Sequence, residues 1–533
     1  MTRQSGLDAD RHVASDVHGK NFWSIAARDP ERVAIIEADG REVRAGDLLA
    51  SANQLVHALR ALGLQRGDAI AAVLPNSVEA FEVYLAMQQA GWYLTPINFH
   101  LVGPEIAYIV QDSEARVLIA HERFAQACAA AVSEVGSSRL RAFAVGQIHG
   151  FGSYADLKRE QPSTPPDDRS LGLIMNYTSG TTGRPKGVRR RLPAGTPEES
   201  ELRSGLLGYR VSPDEADNVH LLACPWYHTA PMVMAGPSLH MGHPMLIMDR
   251  FDAEHCLALI ERYRVTITHL VPTQFVRLLG LPEETKQRYD VSSMRHAIHG
   301  AAPIAPDVKR RMIDWWGPVL EEYYASTEGV GGTIIFADEW LTKPGSVGKP
   351  RAGSELVIMD EAGNVLPAGQ VGTIYSYNPN RETFQYYKDE PKTRQARRGK
   401  YATVGDMGYL DEDGYLYLCD RKSDMIISGG VNIYPAEVEA ALISHPQVAD
   451  VAVFGIPNDE WGEEVKAVVE PAPGVQGGDA LAAELVAFLE GRLARYKLPR
   501  SIDFTTALPR DPNGKLYKRK LRDPYWSGHQ RAI

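Results

Sequence analysis

The sequence predicts an α/β protein. A large N-terminal domain (1–422) is expected to hold parallel-sheet α/β subdomains and a small β-barrel-like region, followed by a small mobile α+β C-terminal domain (423–533). Three observations predict this. The first third alternates strand and helix, short strands with turn signals take over at about 345–420, and composition changes again at Asp420-Arg-Lys-Ser-Asp424. The chain, at 533 residues, is also too long for one core. Domains of roughly 100–200 residues predict three or four compact units, some fused into one body.

Ala69-Ile-Ala-Ala-Val-Leu74 is a continuous apolar run, as expected of a strand buried on both faces. Pro75 ends it, and Asn76 to Glu79 has capping-box spacing for a helix over about 77–90 that stops at Gly91. Tyr93-Leu-Thr-Pro-Ile97 begins the next extended segment, which completes a βαβ unit and predicts a parallel sheet. Val117-Leu-Ile-Ala120 reads as a further strand. A Pro- and Asp-rich linker (162–168) leads to a Gly-rich loop, and βα alternation resumes over about 220–300. Asp360-Glu-Ala-Gly363 and Asp411-Glu-Asp-Gly414 are the turn signals of a mostly antiparallel region. Beyond Asp424, Met425-Ile-Ile427 reads as a strand and a helix begins at Pro435, a favoured first-turn residue. Strands at Val448–Phe454 and Val465–Val469 and a helix over about 479–495 complete the C-terminal domain.

Composition narrows the function. Hydrophobic residues at 44% and charged residues at 23% are ordinary for a globular protein. The net charge of −10 argues against a broad nucleic-acid surface, which needs a basic patch. Cys128, Cys224, Cys256 and Cys419 form no CxxC pair, so neither a zinc site nor a disulfide framework is expected. The polar N-terminus has no apolar signal region, and no apolar run approaches the roughly 18–20 residues that cross a bilayer. Arg531-Ala532-Ile533 is not a peroxisomal address. A cytoplasmic enzyme is expected; a homodimer is left open.

The most informative segment is Tyr177-Thr-Ser-Gly-Thr-Thr-Gly-Arg-Pro-Lys-Gly-Val188. Gly180, Gly183 and Gly187 let a backbone turn tightly and bring N–H groups to an anion. Thr178, Ser179, Thr181 and Thr182 add hydroxyl donors, and Lys186 adds a positive charge. The loop is not a nucleotide-hydrolase P-loop, because Gly187 follows the lysine where that motif needs Ser or Thr. It resembles the signature of the adenylate-forming superfamily, which includes acyl-CoA synthetases, firefly luciferase and peptide-synthetase adenylation domains. The resemblance extends in order from about residue 20 to 520. It implies a two-domain fold, an acyl-AMP intermediate, and a C-terminal domain that rotates between two half-reactions.

The resemblance assigns further roles. In Tyr323-Tyr-Ala-Ser-Thr-Glu-Gly329, Tyr324 would stack on adenine, Thr327 would bond the α-phosphate and Glu328 would hold Mg²⁺, with Thr181 as a second metal contact. Ala325 stands where the family commonly has glycine. Gly300, Ala301 and Ala302 of His299-Gly-Ala-Ala-Pro303 would line the adenine and acyl pocket, and His228 of Pro225-Trp-Tyr-His228 would position the acyl carboxylate. Asp406 would accept from both ribose hydroxyls, and Arg421 would donate to ribose or phosphate. Lys515 of Leu508-Pro-Arg-Asp-Pro-Asn-Gly-Lys515 would bridge the carboxylate and the α-phosphate. Gly429 and Gly430 would let the coenzyme A arm pass, and Ser423 occupies the hinge position where relatives commonly have Lys or Asp. Taken separately, each of these segments also has an ordinary structural reading: a helix cap, a turn, a hairpin salt bridge or a solvated lysine.

The resemblance therefore implies an acid–thiol ligase that uses ATP, Mg²⁺ and coenzyme A on a small carboxylic acid. Its general look is closest to bacterial fatty-acid and steroid-side-chain ligases. Trp226, Tyr227, Met232, Met234 and Val271-Pro-Thr-Gln-Phe275 are candidates for lining an apolar acyl pocket or for plain core. The alternatives are an acyl-AMP ligase that loads a carrier protein, a luciferase-like oxygenase, and a non-catalytic nucleotide- or acyl-binding regulator. The chain ends soon after Lys515 without a fused carrier, which favours a free thiol. Lys186, Glu328, Asp406, Arg421 and Lys515 together argue against a non-catalytic regulator.

Overall fold

A computed structural model describes residues 21–527 apart from 137, 179–184, 201, 203, 213–216, 381–382, 422 and 511–513. The protein is a mixed α/β fold with parallel sheets, and it divides into two compact units. The first comprises residues 1–269, 286–296 and 382–393, and the second 270–285, 297–381 and 394–533. The expected boundary at 422/423 falls inside the second unit.

In the first unit one sheet runs in the order Gly152–Ser153, Arg141–Val145, Ala115–His121, Ala69–Val73, Tyr93–Pro96, Leu173–Ile174, every pair parallel. All five residues of Ala69–Val73 are buried, as its uninterrupted apolar run requires. The helix Val78–Ala90 follows and ends at Gly91, whose φ of +70° is open to glycine at little cost. The capping box expected at Asn76 does not form. Ser77 is the N-cap, without a side-chain cap bond. The buried Asn76 amide instead donates to the Cys224 and Met248 carbonyls (3.1 and 3.0 Å), and its oxygen accepts from the Trp226 N–H. Burying three polar backbone groups beside it makes this use stronger than an exposed cap.

A second set of strands, in the first unit but for Leu270, comprises Ile267–Leu270, His220–Leu222, Met245–Ile247 and Val33–Ile36, is parallel and ends in an antiparallel hairpin with Glu42–Arg44. Its interior is unusually rich in histidine. His220 Nδ1 lies 2.7 Å from Ser238 Oγ, and His243 Nδ1 lies 3.2 Å from the same oxygen. Desolvation pushes His220 down to about 3 and His243 and His269 down to about 4; neighbouring His243 and His269 lower His220 further, and Arg32 and His296 do so for His243. All three are therefore neutral when folded, whereas an unfolded histidine titrates near 6.5. Their stabilising contribution is complete above about pH 6.5 and is lost as pH falls towards 4, at up to about 1.4 kcal/mol per pH unit for each. Urea midpoints are expected to drop steeply between pH 6.5 and 4.5, and a flat profile would contradict buried neutral imidazoles.

In the second unit Ala297, Ile298 and His299 pair parallel with the strand Leu320–Ala325, which pairs antiparallel with Gly331–Phe336. The barrel-like region expected at about 345–420 is a six-stranded antiparallel sheet that includes Glu355–Met359, Gly372–Tyr377, Asp406–Leu410 and Leu416–Arg421. The C-terminal elements are a five-stranded sheet with the helices Pro435–Leu442 and Asp479–Leu489 packed around Ile426, Val453, Val469 and Leu485. The last of these helices stops at Leu489 rather than near 495, because Gly491 takes a φ of +78°. Cys128, Cys224 and Cys256 are buried, Cys419 is partly so, and none of the four is bonded to another. Among the described residues no helix is long and apolar enough to cross a membrane.

Candidate active site

The two strands that flank the Gly-rich loop pair with each other: Thr178 lies opposite Lys186 and Gly187 opposite Tyr177. Ser179, Gly180, Thr181, Thr182 and Gly183 lie outside the described residues. Gly187 does not serve the turn for which the sequence suggested it. It sits inside the strand Lys186–Arg189, where a Cβ would meet Met175 and the Tyr177 ring at 2.6 and 3.0 Å. The base of this hairpin is fastened by residues far away in sequence. Tyr177 donates to Asp112 Oδ2 at 2.7 Å, and burial with that carboxylate pushes the phenol well up. The Arg189 guanidinium lies 4.1 and 4.5 Å from the Tyr93 and Tyr387 rings, in the range of cation–π attraction. Lys186 pairs with Asp389, and that hydrogen bond holds the Asp389 carboxyl below its usual range. Asp112, Tyr387 and Asp389 were not read from the sequence; the aromatic and charged run Tyr386-Tyr-Lys-Asp-Glu390 was the available signal.

His228 is the N-cap residue of Thr229–Met241, partly exposed, with its ring 4.3 Å from that of Tyr227. Tyr227 meets Phe99 edge-on at 4.9 Å, and Phe99 stacks on Phe124 at 4.6 Å. Trp226 and Met232 belong to the central core instead of a pocket wall: the indole N–H of Trp226 donates to the Leu74 carbonyl at 2.7 Å. Met234 is buried as well.

The second unit carries the residues expected around a nucleotide. Tyr324 sits at the end of Leu320–Ala325, opposite a register shift that places Ala325 against Gly331. Gly331, at φ +92°, lies against the Tyr324 ring, where a Cβ would come within 2.8 Å of it. The Tyr324 hydroxyl donates to Asp406 Oδ2 at 2.8 Å, and Arg421 Nε approaches the other Asp406 oxygen at 3.2 Å. Burial, then Asp406, raises the Tyr324 phenol far above its ordinary range. Desolvation works against the Arg421 cation, but Asp406, Asp424 and Glu328 outweigh it and raise its pKa. Glu328 therefore shares an electrostatic neighbourhood with Tyr324 and Arg421. Gly300 has no room for a side chain, since a Cβ would sit 2.7 Å from the Tyr323 carbonyl; Ala301 takes a left-handed φ of +67° and Ala302 is partly buried beside it. Thr327 is partly buried two residues beyond the strand. Phe275, from the stretch Val271–Phe275, is fully buried and packs edge-on to His299.

Further along the second unit, Gly429 and Gly430 form the two-residue turn between Ile426–Ser428 and Val431–Ile433, with φ of +57° and +79°. Two successive positive φ values are what a tight twisted hairpin needs. A Cβ on Gly429 would meet the Trp461 ring at 2.7 Å, whereas one on Gly430 would enter open space. Lys515 is partly buried, and it follows Gly514, whose φ is +76° and whose Cα faces Thr273 with no room for a Cβ.

A family model described as AMP-binding enzyme matches residues 22–387, and its C-terminal-domain model matches 437–515. The chain belongs to the AMP-binding enzyme family, that is, to the adenylate-forming superfamily. Adenylate-forming CoA ligases use ATP and coenzyme A. The chain is 33% identical over 510 residues to a feruloyl-CoA synthase from Amycolatopsis sp, which spans 95% of this chain and 98% of that one. It is 32% identical over 480 residues to the long-chain-fatty-acid–CoA ligase FadD13 of Mycobacterium tuberculosis, at 89% and 92% coverage. The crystal structure of ATP-bound MatB from Rhodopseudomonas palustris superposes with a TM-score of 0.81 at 31% identity, covering 96% of this chain and 100% of that one. Within the superfamily the chain lies in the CoA-ligase branch and is an acid–thiol ligase.

Proposed function

We propose that the protein is a cytoplasmic acyl-CoA synthetase that activates an apolar carboxylic acid, a fatty acid or a steroid side-chain acid, and transfers it to coenzyme A. The observation that carries the nucleotide half is the Tyr324–Asp406–Arg421 arrangement: an aromatic ring against a glycine, beside a carboxylate already oriented by a phenol and a guanidinium. The Phe99–Phe124–Tyr227 aromatic group next to His228 supports an apolar acid.

In the first step a carboxylate oxygen attacks the α-phosphorus of ATP and pyrophosphate leaves. In the second the coenzyme A thiol attacks the acyl-adenylate carbonyl, giving up its proton, and AMP leaves. Tyr324 would stack on adenine, and Asp406 and Arg421 would hold the ribose. The backbone of 178–183 and Lys186 would cradle phosphates, Thr327 would bond the α-phosphate and His228 would position the acid. Among the described residues no group of three or more His, Cys, Asp or Glu side chains could hold a metal ion. Mg²⁺ is commonly bound by one or two carboxylates together with substrate phosphates, and the Glu328 carboxylate acts electrostatically on Tyr324 and Arg421. Glu328, with Thr181, would hold it, and it would neutralise phosphate charge. Lys515 and a C-terminal domain (423–533) turning about Ser423 would separate the two steps, because a hinge needs backbone freedom more than a given side chain.

Pyrophosphate release from MgATP across linear, aromatic and steroid acids, with and without coenzyme A, tests the proposal. Sustained release that requires coenzyme A and yields AMP with fatty or steroid acids is the expected result. Turnover with aromatic acids alone would overturn the acid class, and a single burst that coenzyme A cannot extend would point to a carrier-protein acceptor. Gly430→Leu is expected to slow thioester formation from supplied acyl-AMP by at least about tenfold, a barrier of about 1.4 kcal/mol, and to spare pyrophosphate release. Gly430→Asn, which tolerates the left-handed turn, serves as control. A normal thioester step in the leucine variant would remove Gly430 from the path of the thiol.

A further inference from the structure

Lys515 is carried by a hairpin. Arg510 bridges to Leu516 in antiparallel register, the Arg510 N–H donates to the Leu508 carbonyl at 2.8 Å, and the Tyr517 N–H donates to the Pro509 carbonyl at 2.8 Å. Leu508 and Leu516 pack with Ala452, Phe454 and Val468, which seats the hairpin on the C-terminal sheet.

Arg510 ties it down further. Arg510 Nε and Nη2 donate to the two oxygens of Asp450 at 2.5 and 2.7 Å, a fork-to-fork pair. Asp450 belongs to the strand Val448–Asn458, and its Oδ1 also accepts the Val451 N–H at 2.8 Å, so the carboxylate is tied to the sheet. The remaining arm, Arg510 Nη1, donates to the Gly514 carbonyl at 2.6 Å. That carbonyl is part of the peptide joining Gly514 to Lys515. Gripping it sets the peptide plane and therefore the direction in which the Lys515 side chain leaves the backbone. Desolvation opposes the guanidinium charge, but Asp450 with Glu439 and Glu470 more than compensates and raises its pKa. The clamp thus remains charged throughout the neutral range. A lysine at 510 could reach the carboxylate, but it lacks the planar fork that serves two carboxylate oxygens and a carbonyl at once.

We propose that Arg510, held by Asp450, is a positioning residue for adenylation: it fixes the Gly514–Lys515 peptide so that the Lys515 ammonium is presented already oriented. The proposal rests on the reading above that Lys515 serves the first half-reaction. The test measures both half-reactions, pyrophosphate formation and thioester formation from supplied acyl-AMP, in Arg510→Ala, Arg510→Lys, Asp450→Ala, Lys515→Ala and Arg510→Ala/Lys515→Ala, together with melting.

Arg510→Ala and Asp450→Ala are expected to lower kcat of adenylation by about 10- to 100-fold, the scale of a misplaced catalytic group, with KM for ATP little changed and thioester formation spared. Arg510→Lys is expected to restore melting but only part of the rate. The double variant should be no slower than Lys515→Ala alone, because nothing remains to be positioned. Equal loss in both half-reactions, or losses that multiply in the double variant, would make the clamp merely structural and overturn the proposal. If Lys515→Ala blocks adenylation and Arg510→Ala does not, the positioning role alone fails. If Lys515→Ala leaves adenylation intact, the reading of Lys515 fails first and the positioning role goes with it.

Discussion

Lys515→Ala is expected to cut pyrophosphate formation by about 10² to 10³-fold, some 3–4 kcal/mol of barrier, and to leave thioester formation from supplied acyl-AMP largely intact. The reason is electrostatic. The acyl carboxylate and the α-phosphate are both anionic, and adenylation presses them together. An ammonium held in advance at the meeting point lowers the barrier without reorganising at the moment of reaction. Partial burial and the hairpin with its left-handed Gly514 give Lys515 the fixed backbone such a role requires. The second step begins with a neutral acyl-phosphate carbonyl and a thiol, so it makes no comparable demand. Single-turnover assays of the two steps check this, and equal losses in both would sink the division of labour between two conformations.

The largest stability effect is expected from Lys309→Met. Lys309, on the helix Pro306–Trp316, is fully buried and donates to Glu322 Oε2 at 2.5 Å, with its ammonium 4.9 Å from the Trp340 ring. Burial lowers the lysine pKa and raises that of Glu322, so for both partners desolvation exceeds mutual attraction. Removing the lysine alone leaves a buried carboxylate uncompensated, at a cost of about 3–5 kcal/mol. Replacing both partners, Lys309→Met with Glu322→Leu, is expected to return to within about 1 kcal/mol of the parent, because neither desolvation penalty then remains. Urea midpoints of the two variants decide the matter; equal destabilisation of both would mean that shape, not charge, holds the site. Glu322 lies two residues before Tyr324 on the same strand, so the single variant is also expected to weaken ATP binding.

Much of the candidate site could be named from the sequence, because its residues stand in short segments. Tyr324, Asp406 and Arg421 sit in local patterns, the last two on paired strands, and the antiparallel register Asp406–Arg421 follows from a hairpin that the Asp411–Gly414 turn announces. The partners of those residues were not legible. Nothing near Lys186 indicates Asp389, which lies 203 positions on, and nothing near Arg510 indicates Asp450, which lies 60 positions back.

The sequence by itself determined the alternation of buried strands and helices, several glycine turns, and the order of the segments proposed to meet phosphate, ribose and the reacting carboxylate. These depend on backbone propensities and on side-chain patterns a few residues long. Only the tertiary structure decided that Asn76 braces three backbone groups instead of capping a helix, that Gly187 makes room for Met175 and Tyr177, and that Arg510 grips the peptide before Lys515. Each of these depends on which distant groups the folded chain brings within about 3 Å, the range over which a hydrogen bond or a steric clash acts. A local pattern cannot encode that distance, because it is set by the path of the whole chain.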